Sequence, residues 1–556
     1  MNERATLIQA LFPRVVKNYT TLQHRQVQIL QEWIFELVAM YKVSKNTAAL
    51  ALNLINNFLA VTPFDSSKLQ ITGTACLSLA AQVNEIYAPS ADDYVYVADS
   101  AYTLEEFNAF SVEVVNALGG KIRPCTALDV LAENLYRLSE KDSEMKYDSI
   151  GHARNVALIL YTYLPKYWRL SATSMADLCI SAARYLISGN PVAKTDLETI
   201  NNLKHFESRF SKVMKKKLTN TIELFKNVSS VKLRIPVEKV TAEAMPSLPK
   251  PWEGDCEEIE ELGEGTFGTV HKVRCDGRVL AVKRQEFSET ALQELSILST
   301  YSHANVIGVI EKKVTFDGIE IFMEVGRSLY DILYFSDGRR DAWEMIYVDG
   351  GLEEDFLLLE SERRGYILDI CAGLDYLHKH GVIHRDLKPG NIIVVDGQAK
   401  IADFGLSTQC ILSLWDISPK QREVLTLWYR PPEFLDQDFN GDFERYSFEI
   451  DIWSLACILL EIETGVPAFP GENPFHKTPG GTVVFDPEGA TLNAIGEVLG
   501  SAPKEYYPKL NFEEKEDRLA CIRDEDERDI LLSMLNWVPK QRLTADDVLD
   551  RFVSRF

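Results

Sequence analysis

Apolar side chains recur three and four positions apart over most of the first 230 residues. One such run extends from Val27 to Leu37, and another extends from Leu50 to Leu59. This spacing places the apolar positions on one face of a helix, and no segment here alternates in the manner of a strand. The pattern therefore predicts an all-α domain. It contains no grouping of acidic residues and histidines that would form a catalytic site.

The pattern changes after a segment at 233–254, which contains four prolines and no helical stripe. We interpret this segment as a partly extended linker. From Glu260 to Val282, apolar and polar positions alternate around several glycines, which predicts hairpin strands. Helical patterns dominate the C-terminal part. A strand-rich lobe over 255–326 followed by a helical lobe over 327–556 predicts an α+β domain with a cleft.

The charge is distributed unevenly along the 556 residues, whose net charge is −23. Residues 1–230 contain 24 basic and 22 acidic side chains, which leaves 35 basic and 60 acidic side chains for the remainder. This asymmetry indicates two independent units. The acidic unit is a poor candidate for binding nucleic acid or an anionic membrane. It would attract basic peptides, or its charge would serve solubility alone.

The nine cysteines form no C-x-x-C pair and accompany no histidine cluster. Such scatter favours a reducing compartment and disfavours a structural zinc site. No run of about 18 apolar residues indicates a transmembrane helix, and the N-terminal sequence lacks the apolar core of a secretory signal. We therefore expect an intracellular protein in the nucleus, the cytoplasm or both.

The sequence GEGTFGTV at 263–270 has the spacing G-x-G-x-x-G. Taken alone this pattern is weak, because a simple hairpin turn would also contain such glycines. A dinucleotide-binding site needs a helix directly after the glycines. Here the sequence continues as a strand, so that interpretation fails.

Further motifs follow the glycines in a fixed order. The strand-like LAVKR (280–284) contains a lysine, and a glutamate follows eleven residues after that lysine on a helical stripe. Downstream the chain contains HRDLKPGN (384–391), DFG (403–405), WYRPPE (428–433) and DIWSLA (451–456). In this order and with these types, the motifs resemble those of the eukaryotic protein kinases.

The resemblance implies ATP and Mg²⁺ as cofactors and a role for each matching residue. Asp386 would accept the proton of the substrate hydroxyl, Lys388 would stabilise the transferred phosphoryl group, and Thr426 would brace both. Asn391 and Asp403 would bind Mg²⁺, which prefers oxygen ligands. The residues implied to bind or position ATP are Gly263, Gly265, Gly268, Val270, Ala281, Lys283 and Glu294.

The segment EVLTLWYRPPE resembles the group that contains the cyclin-dependent kinases. In that group the arginine that matches Arg430 binds a backbone carbonyl near the position of Leu425. The substrate residue after the phosphoacceptor then has no partner for its N–H group, and proline has no N–H group to leave unpaired. The resemblance implies Ser/Thr-Pro specificity, with Leu425 and Arg430 forming the proline pocket.

The N-terminal domain resembles a cyclin of the mitotic A/B type. The segments 26–43, 51–61 and 68–103 carry this resemblance, and EIYAP and DDYVYVAD are their most specific parts. The expected fold is an all-α cyclin of two five-helix repeats, at 1–124 and 125–232, joined to an α+β bilobal kinase at 255–556. A generic helical bundle is the alternative for the N-terminal part.

Four regulatory positions depart from the kinase family. Gln421 stands at the position of the phosphorylated threonine, and Gln293 and Thr408 replace two of the three arginines that bind its phosphate. We expect a kinase that needs no activating phosphorylation, because phosphothreonine orders a loop through arginine partners. Phe267 replaces the inhibitory tyrosine, while Thr266 keeps a hydroxyl.

The cyclin part departs from its family where it would contact the kinase. Gln82 and Ser111 stand where cyclins usually present a lysine and a glutamate. We expect an internal cyclin–kinase contact, although a dimer with exchanged cyclins remains open. A substrate groove for Arg-x-Leu motifs is also expected, although its apolar residues would serve equally well as core. Its residues are Ile29, Leu30, Trp33, Glu36, Leu69 and Gln70.

Together these features predict a Ser/Thr-Pro kinase that uses Mg-ATP, carries its own cyclin and acts on cell-cycle proteins. One alternative is a transcription-linked kinase that acts on the tail of RNA polymerase. The other is a non-catalytic scaffold or decoy, against which the intact HRD and DFG motifs argue.

Overall fold

The computed structural model describes residues 21–123, 126, 256–334, 358–409 and 425–555. Within these ranges it omits positions 86, 266–267, 316, 437, 440–447, 472–474, 478–482, 511, 513–518, 520–521 and 523. The predicted second cyclin repeat and the linker lie outside the described residues. The chain divides into two compact units. The first comprises Met1–Glu253, Gln285–Thr300 and Lys313–Glu320, and the second comprises Gly254–Arg284, Tyr301–Lys312 and Ile321–Phe556.

Residues 21–123, the described N-terminal part of the first unit, contain five α-helices. They are α1 (Thr21–Tyr41), α2 (Lys45–Val61), α3 (Leu69–Asn84), α4 (Ala91–Val97) and α5 (Leu104–Ala117). Capping boxes begin α4 and α5, where Ser90 and Thr103 each bond reciprocally with the acidic residue three positions later. Such boxes satisfy two backbone donors at a helix start. The predicted helical character of this part is confirmed.

Helix α3 lies at the centre of this bundle and is buried along nearly its whole length. Gly73 allows α1 to pack closely, because a Cβ atom there would lie 2.6 Å from Leu30 Cδ1. The first unit also contains helix α6 (Glu289–Thr300), whose side chains Ala291 and Leu295 are fully buried. The apolar stripe that predicted α6 is therefore its packed face.

The predicted strands form a five-stranded sheet in the order β1-β2-β3-β5-β4. The strands are β1 (Cys256–Gly265), β2 (Gly268–Cys275), β3 (Arg278–Gln285), β4 (Val309–Val314) and β5 (Ile319–Met323). β1, β2 and β3 pair antiparallel in sequence order. Alternation with glycine-containing turns therefore predicted this part correctly.

A disulfide joins Cys256 of β1 to the buried Cys275 of β2, which are register partners. Disulfides are rare in reducing compartments. The bond is at odds with the expectation of a reducing compartment, which was drawn from the scatter of the cysteines. The spacing of 19 residues gave no signal for this pairing.

Helices dominate the rest of the second unit. They are α7 (Leu329–Tyr334), α8 (Glu360–Lys379), α9 (Pro432–Leu435), α10 (Glu449–Thr464), α11 (Pro487–Leu499), α12 (Glu525–Met534) and α13 (Ala545–Arg555). Short strands accompany them: β6 (Arg327–Ser328), β7 (Val382–Ile383), β8 (Ile392–Val395), β9 (Gln398–Ile401), β10 (Thr408–Gln409), β11 (Phe475–Lys477) and β12 (Val483–Phe485). Among the described residues, no helix combines the length and apolar character needed to cross a membrane.

Helix α10 is the core of this unit, because all its residues from Ile450 to Ile462 are buried. Two of them carry a carboxyl group, Asp451 and Glu461, each fully buried. A carboxylate in such a place must be hydrogen-bonded. Both are, and Asp451 organises the candidate active site.

Candidate active site

Asp451 of α10 anchors the loop that carries HRDLKPGN. Its two carboxylate oxygens accept hydrogen bonds from the backbone N–H groups of His384, at 2.7 Å, and Arg385, at 2.9 Å. The His378 ring lies 2.9 Å from the same carboxylate. Arg385 adopts a left-handed backbone conformation, with φ of 67°. Such a conformation is costly for a residue other than glycine and requires support from its surroundings, which Asp451 gives here.

Asp386 is buried, and three side chains hold its two carboxylate oxygens. Lys388 Nζ donates to Oδ2 at 2.7 Å and Asn391 Nδ2 donates to Oδ2 at 3.1 Å. Thr426 Oγ1 donates to Oδ1 at 2.7 Å. Lys388 Nζ also lies 3.1 Å from Thr426 Oγ1. The structure thus brings Asp386, Lys388, Asn391 and Thr426 together, in an arrangement that fixes one carboxylate in a single orientation.

Asp403 forms an ion pair with Lys283, whose Nζ lies 2.7 Å from Asp403 Oδ1. Burial pulls the pKa of Asp403 upward, but the Lys283 ammonium outweighs it, helped by His384 and Lys388, and holds the pKa below its usual value. Asp403 is therefore ionised near neutral pH. Its φ of 62° is a second left-handed conformation beside this centre. The aspartate of the DFG motif and the strand lysine are therefore in direct contact.

The glycine-rich sequence closes the β1–β2 hairpin. Gly265 pairs with Gly268, and Gly263 pairs with Val270. Gly268 has a φ of 143°, which a residue with a side chain rarely adopts. Val270 is also the register partner of Lys283, and Ala281 lies on the same strand as that lysine. Thr266 and Phe267 lie outside the described residues.

Glu294 lies on α6 in the first unit and is 1% exposed. Its Oε2 accepts a hydrogen bond from Gln285 Nε2 at 2.7 Å. The predicted pairing of Glu294 with Lys283 joins residues of different units and stays a prediction.

The oxygen atoms near Asp386 fit a divalent metal ion. Asp403 supplies an ionised carboxylate, and the amide nitrogen of Asn391 donates to Asp386, so that its amide oxygen is the atom left to act as a ligand. Both are hard oxygen donors of the kind that Mg²⁺ prefers, and Mg²⁺ keeps several waters when few protein ligands are present. The described residues contain no group of three or more His, Cys, Asp or Glu side chains able to hold a metal.

Two comparisons with known proteins decide the family. The family model described as Protein kinase domain matches residues 256–553, and the model described as Cyclin, N-terminal domain matches residues 3–123. Over 305 residues the chain is 31% identical to Cell division control protein 2 homolog 3 of Trypanosoma brucei brucei. The matched region covers 52% of this chain and 89% of that relative. The chain belongs to the protein kinase family.

The kinase domain is of the cyclin-dependent Ser/Thr type and follows a cyclin domain in the same chain, as the motifs predicted. A protein kinase domain implies ATP and a divalent metal ion. The α+β prediction for this domain is confirmed, and so is the helical prediction for the N-terminal cyclin domain.

The kinase's activation segment resumes at Leu425 in the described structure. Arg430 donates to the Leu425 carbonyl oxygen from Nε at 3.2 Å and from Nη2 at 2.8 Å. Glu488 accepts from the remaining nitrogen of Arg430, at 2.5 Å. The Leu425 side chain packs in a buried cluster with Ile383 and Phe434. Two nitrogens of Arg430 thus occupy the Leu425 carbonyl oxygen.

The regulatory positions of the kinase are partly described. Gln421 lies outside the described residues. Thr408 begins β10 and pairs with Ile383 of β7. Gln293 is buried on α6. Arg385, the remaining arginine of the predicted phosphate site, donates from Nε to the Leu406 carbonyl oxygen at 2.6 Å.

The cyclin domain contains a surface cavity of about 590 Å³ between α1 and α3. Ile29 is 57% exposed at this cavity, while Leu30 and Leu69 are buried in its floor. Gln26 and Ser66 complete its lining. All six residues predicted for the substrate groove line this one cavity: Ile29, Leu30, Trp33, Glu36, Leu69 and Gln70.

Sequence reasoning gave no role to Asp451, Glu488 or Gln285. Asp451 had a local signal, since it is an acidic residue inside an otherwise apolar helix pattern. Glu488 lies 58 residues from Arg430, and Gln285 lies nine residues from Glu294. Their contacts arise only when separate elements meet in the fold, so the linear sequence gave no signal for them.

Proposed function

We propose that this cyclin-dependent-type kinase phosphorylates serine or threonine followed by proline, with its own cyclin domain as activating partner. The observation that carries the specificity is the double hydrogen bond from Arg430 to the Leu425 carbonyl. Because that carbonyl is engaged, a substrate N–H group at the following position would stay unpaired, which costs about 1–3 kcal/mol. Proline avoids this cost.

The residues around Asp386 suit in-line phosphoryl transfer. Asp386 would accept the proton of the substrate hydroxyl, because Thr426 and Asn391 fix its orientation. Lys388 would stabilise charge on the transferred group. ATP supplies that group, and Mg²⁺ held by Asn391 and Asp403 would neutralise its charge. On the ATP side, Lys283 would bind the phosphates and Glu294 would orient Lys283.

Two peptides that differ only after the phosphoacceptor test this specificity. We expect kcat/KM for a Ser-Pro peptide to exceed that for the Ser-Ala peptide by about ten- to a hundredfold. Arg430→Met should remove most of this preference. Glu488→Gln is the matched control, because it keeps both bonds to Leu425 and should keep the preference. Equal rates on the two peptides, or an unchanged preference in Arg430→Met, would refute the proposal.

We also propose that activity needs no phosphorylation of the activation segment. Three of the four residues that would form the phosphate site are replaced, by Gln293, Thr408 and Gln421. The retained Arg385 has a backbone partner, Leu406, at 2.6 Å. The Leu406 carbonyl oxygen thus accepts from the Arg385 guanidinium in the place of a phosphate. This contact supports an activation segment that is ordered without phosphorylation.

Cell-cycle proteins are the favoured substrates, which would place the activity in the nucleus or cytoplasm. The name of the trypanosomal relative, a cell division control protein, supports this proposal. The cyclin cavity would bind Arg-x-Leu segments, with Trp33 and the leucine side chains taking the apolar residue and Glu36 pairing with the arginine. Polymerase-tail substrates and a purely scaffolding role are the alternatives, and the catalytic geometry around Asp386 argues against the second.

Binding of a fluorescent Arg-x-Leu peptide tests the groove. Glu36→Gln should weaken binding several-fold and reduce its dependence on salt, while Glu113→Gln, on α5 outside the cavity lining, should not. Unaltered binding in Glu36→Gln would exclude this role for the cavity.

A further inference from the structure

Gln285 ends strand β3 in a buried position, 6% exposed. Its Nε2 donates to Glu294 Oε2 at 2.7 Å, and both side chains are buried. We propose that Gln285 is the positioning residue that fixes the Glu294 carboxylate on α6. This inference rests on the proposed function, in which Glu294 orients Lys283 toward ATP.

The contact identifies what the Gln285 side chain does. Burial of an amide is unfavourable unless it forms hydrogen bonds. Among the described residues, Oε1 of Gln285 has no hydrogen-bond partner. An apolar side chain of the same length would avoid that cost, so the bond from Nε2 to Glu294 is the interaction that the amide supplies.

A neutral donor suits this position. An ammonium or guanidinium beside Glu294 would compete for the carboxylate with the cation that Glu294 has to orient. The Gln285 amide donates to Glu294 Oε2 without adding charge beside the carboxylate. Lys283 and Gln285 are two residues apart on β3, so their side chains leave the strand on the same face.

The first unit holds the rest of α6 through other contacts. The backbone N–H of Arg123 donates to Ser296 Oγ at 3.1 Å, and its guanidinium donates to the Val83 carbonyl at 3.4 Å. These bonds set the position of the helix, and Gln285 sets the orientation of the carboxylate upon it. Together with the packing of the apolar face of α6, these contacts would order the helix glutamate.

Steady-state kinetics of Gln285→Met test the inference, since methionine keeps the length and removes the donor. We expect kcat to fall about tenfold while KM for the peptide and the melting temperature stay close to those of the wild type. Gln31→Met is the matched control, because the Gln31 amide is also buried and donates to Asn56 Oδ1 within the cyclin helices. It should leave kcat unchanged.

A double-mutant cycle separates positioning from a structural role. In the Glu294→Gln background, Gln285→Met should cause no further loss, because the carboxylate that it positions is gone. Losses that multiply, or full activity of Gln285→Met, would overturn the inference. If Glu294→Gln itself kept full activity, the proposed role of Glu294 would be wrong and the inference would fall with it. If Glu294→Gln lost activity and Gln285→Met did not, the inference about Gln285 would be refuted and the proposed role of Glu294 would stand.

The pH profile of Gln285→Glu gives a second readout. Two buried carboxylates in hydrogen-bond contact cannot both be ionised. The pair therefore holds one shared proton. The protonated pair restores the donor, so activity relative to wild type should rise as the pH falls. A ratio that does not change with pH would contradict a hydrogen bond at this position.

Discussion

The carboxyl group of Glu461 lies in the core of the kinase domain. It is fully buried in α10 and accepts hydrogen bonds from the hydroxyl groups of Tyr334 and Tyr429, the latter at 2.7 Å. Burial raises the pKa of Glu461 to about 7, although the two tyrosine hydrogen bonds oppose that rise. Tyr429 belongs to the WYR segment, so this group supports the activation segment from the core.

The pKa of Glu461 makes stability depend on pH. Between its ordinary pKa of 4.5 and about 7, the folded state keeps a proton that the unfolded state has lost. The free energy of unfolding therefore falls as the pH rises through this window. Glu461→Gln lacks the effect, so its stability relative to wild type should increase by about 1–3 kcal/mol from pH 4.5 to 7.

Urea unfolding at several pH values measures this difference. Glu463, whose pKa burial also raises to about 7, contributes a slope of the same sign in both proteins and cancels. A difference that stays constant across the window would show that Glu461 is ionised throughout.

At the scale of elements, α8 packs on the strands below it through a glycine. A Cβ atom on Gly373 would lie 2.5 Å from the Asn305 carbonyl oxygen. That oxygen cannot move easily, because it accepts from the Ile401 N–H group and the Asn305 side chain donates to Ala399. Gly365 lies on the same helix, and apart from its own helix backbone no atom of the described residues lies within 4 Å of a Cβ placed there.

These two glycines give opposite predictions. Gly373→Ala should destabilise the kinase domain by about 1–3 kcal/mol, because the helix must move away from Asn305. Gly365→Ala should be neutral or stabilise it by up to about 1 kcal/mol, because alanine loses less backbone entropy on folding. Thermal denaturation of both variants checks this, and equal effects would contradict the packing described for α8.

The sequence predicted the elements and motifs that depend on local patterns, but not the contacts between separate elements. Asp386 and Asn391 belong to one short motif, and the resemblance to protein kinases implied related roles for them, so their contact needed no knowledge of long-range packing. The periodicity of apolar residues predicted the helical character of the N-terminal domain, with stripes in α1 and α2, and alternation predicted the β1–β3 hairpins. The Cys256–Cys275 bond and the Gln285–Glu294 contact depend on register and on packing between elements. No local pattern encodes such contacts.

At the scale of the molecule, a cyclin domain and its kinase domain share one chain. A linker of about twenty residues would give the partner an effective concentration on the order of mM. Specific activity should therefore stay constant when the protein is diluted from micromolar to nanomolar concentration. A loss of specific activity on dilution would indicate cyclins exchanged between two chains, and size-exclusion chromatography at both concentrations would show the dimer.

The central claim is a self-sufficient kinase. The most direct measurement is the activity of full-length protein from bacteria on a Ser-Pro peptide with Mg-ATP, before and after phosphatase treatment, without added cyclin or activating kinase. Asp386→Asn controls for contaminating activity. We predict activity that the phosphatase does not reduce and that Asp386→Asn abolishes. Activity that appears only after an activating kinase phosphorylates the protein would contradict the account.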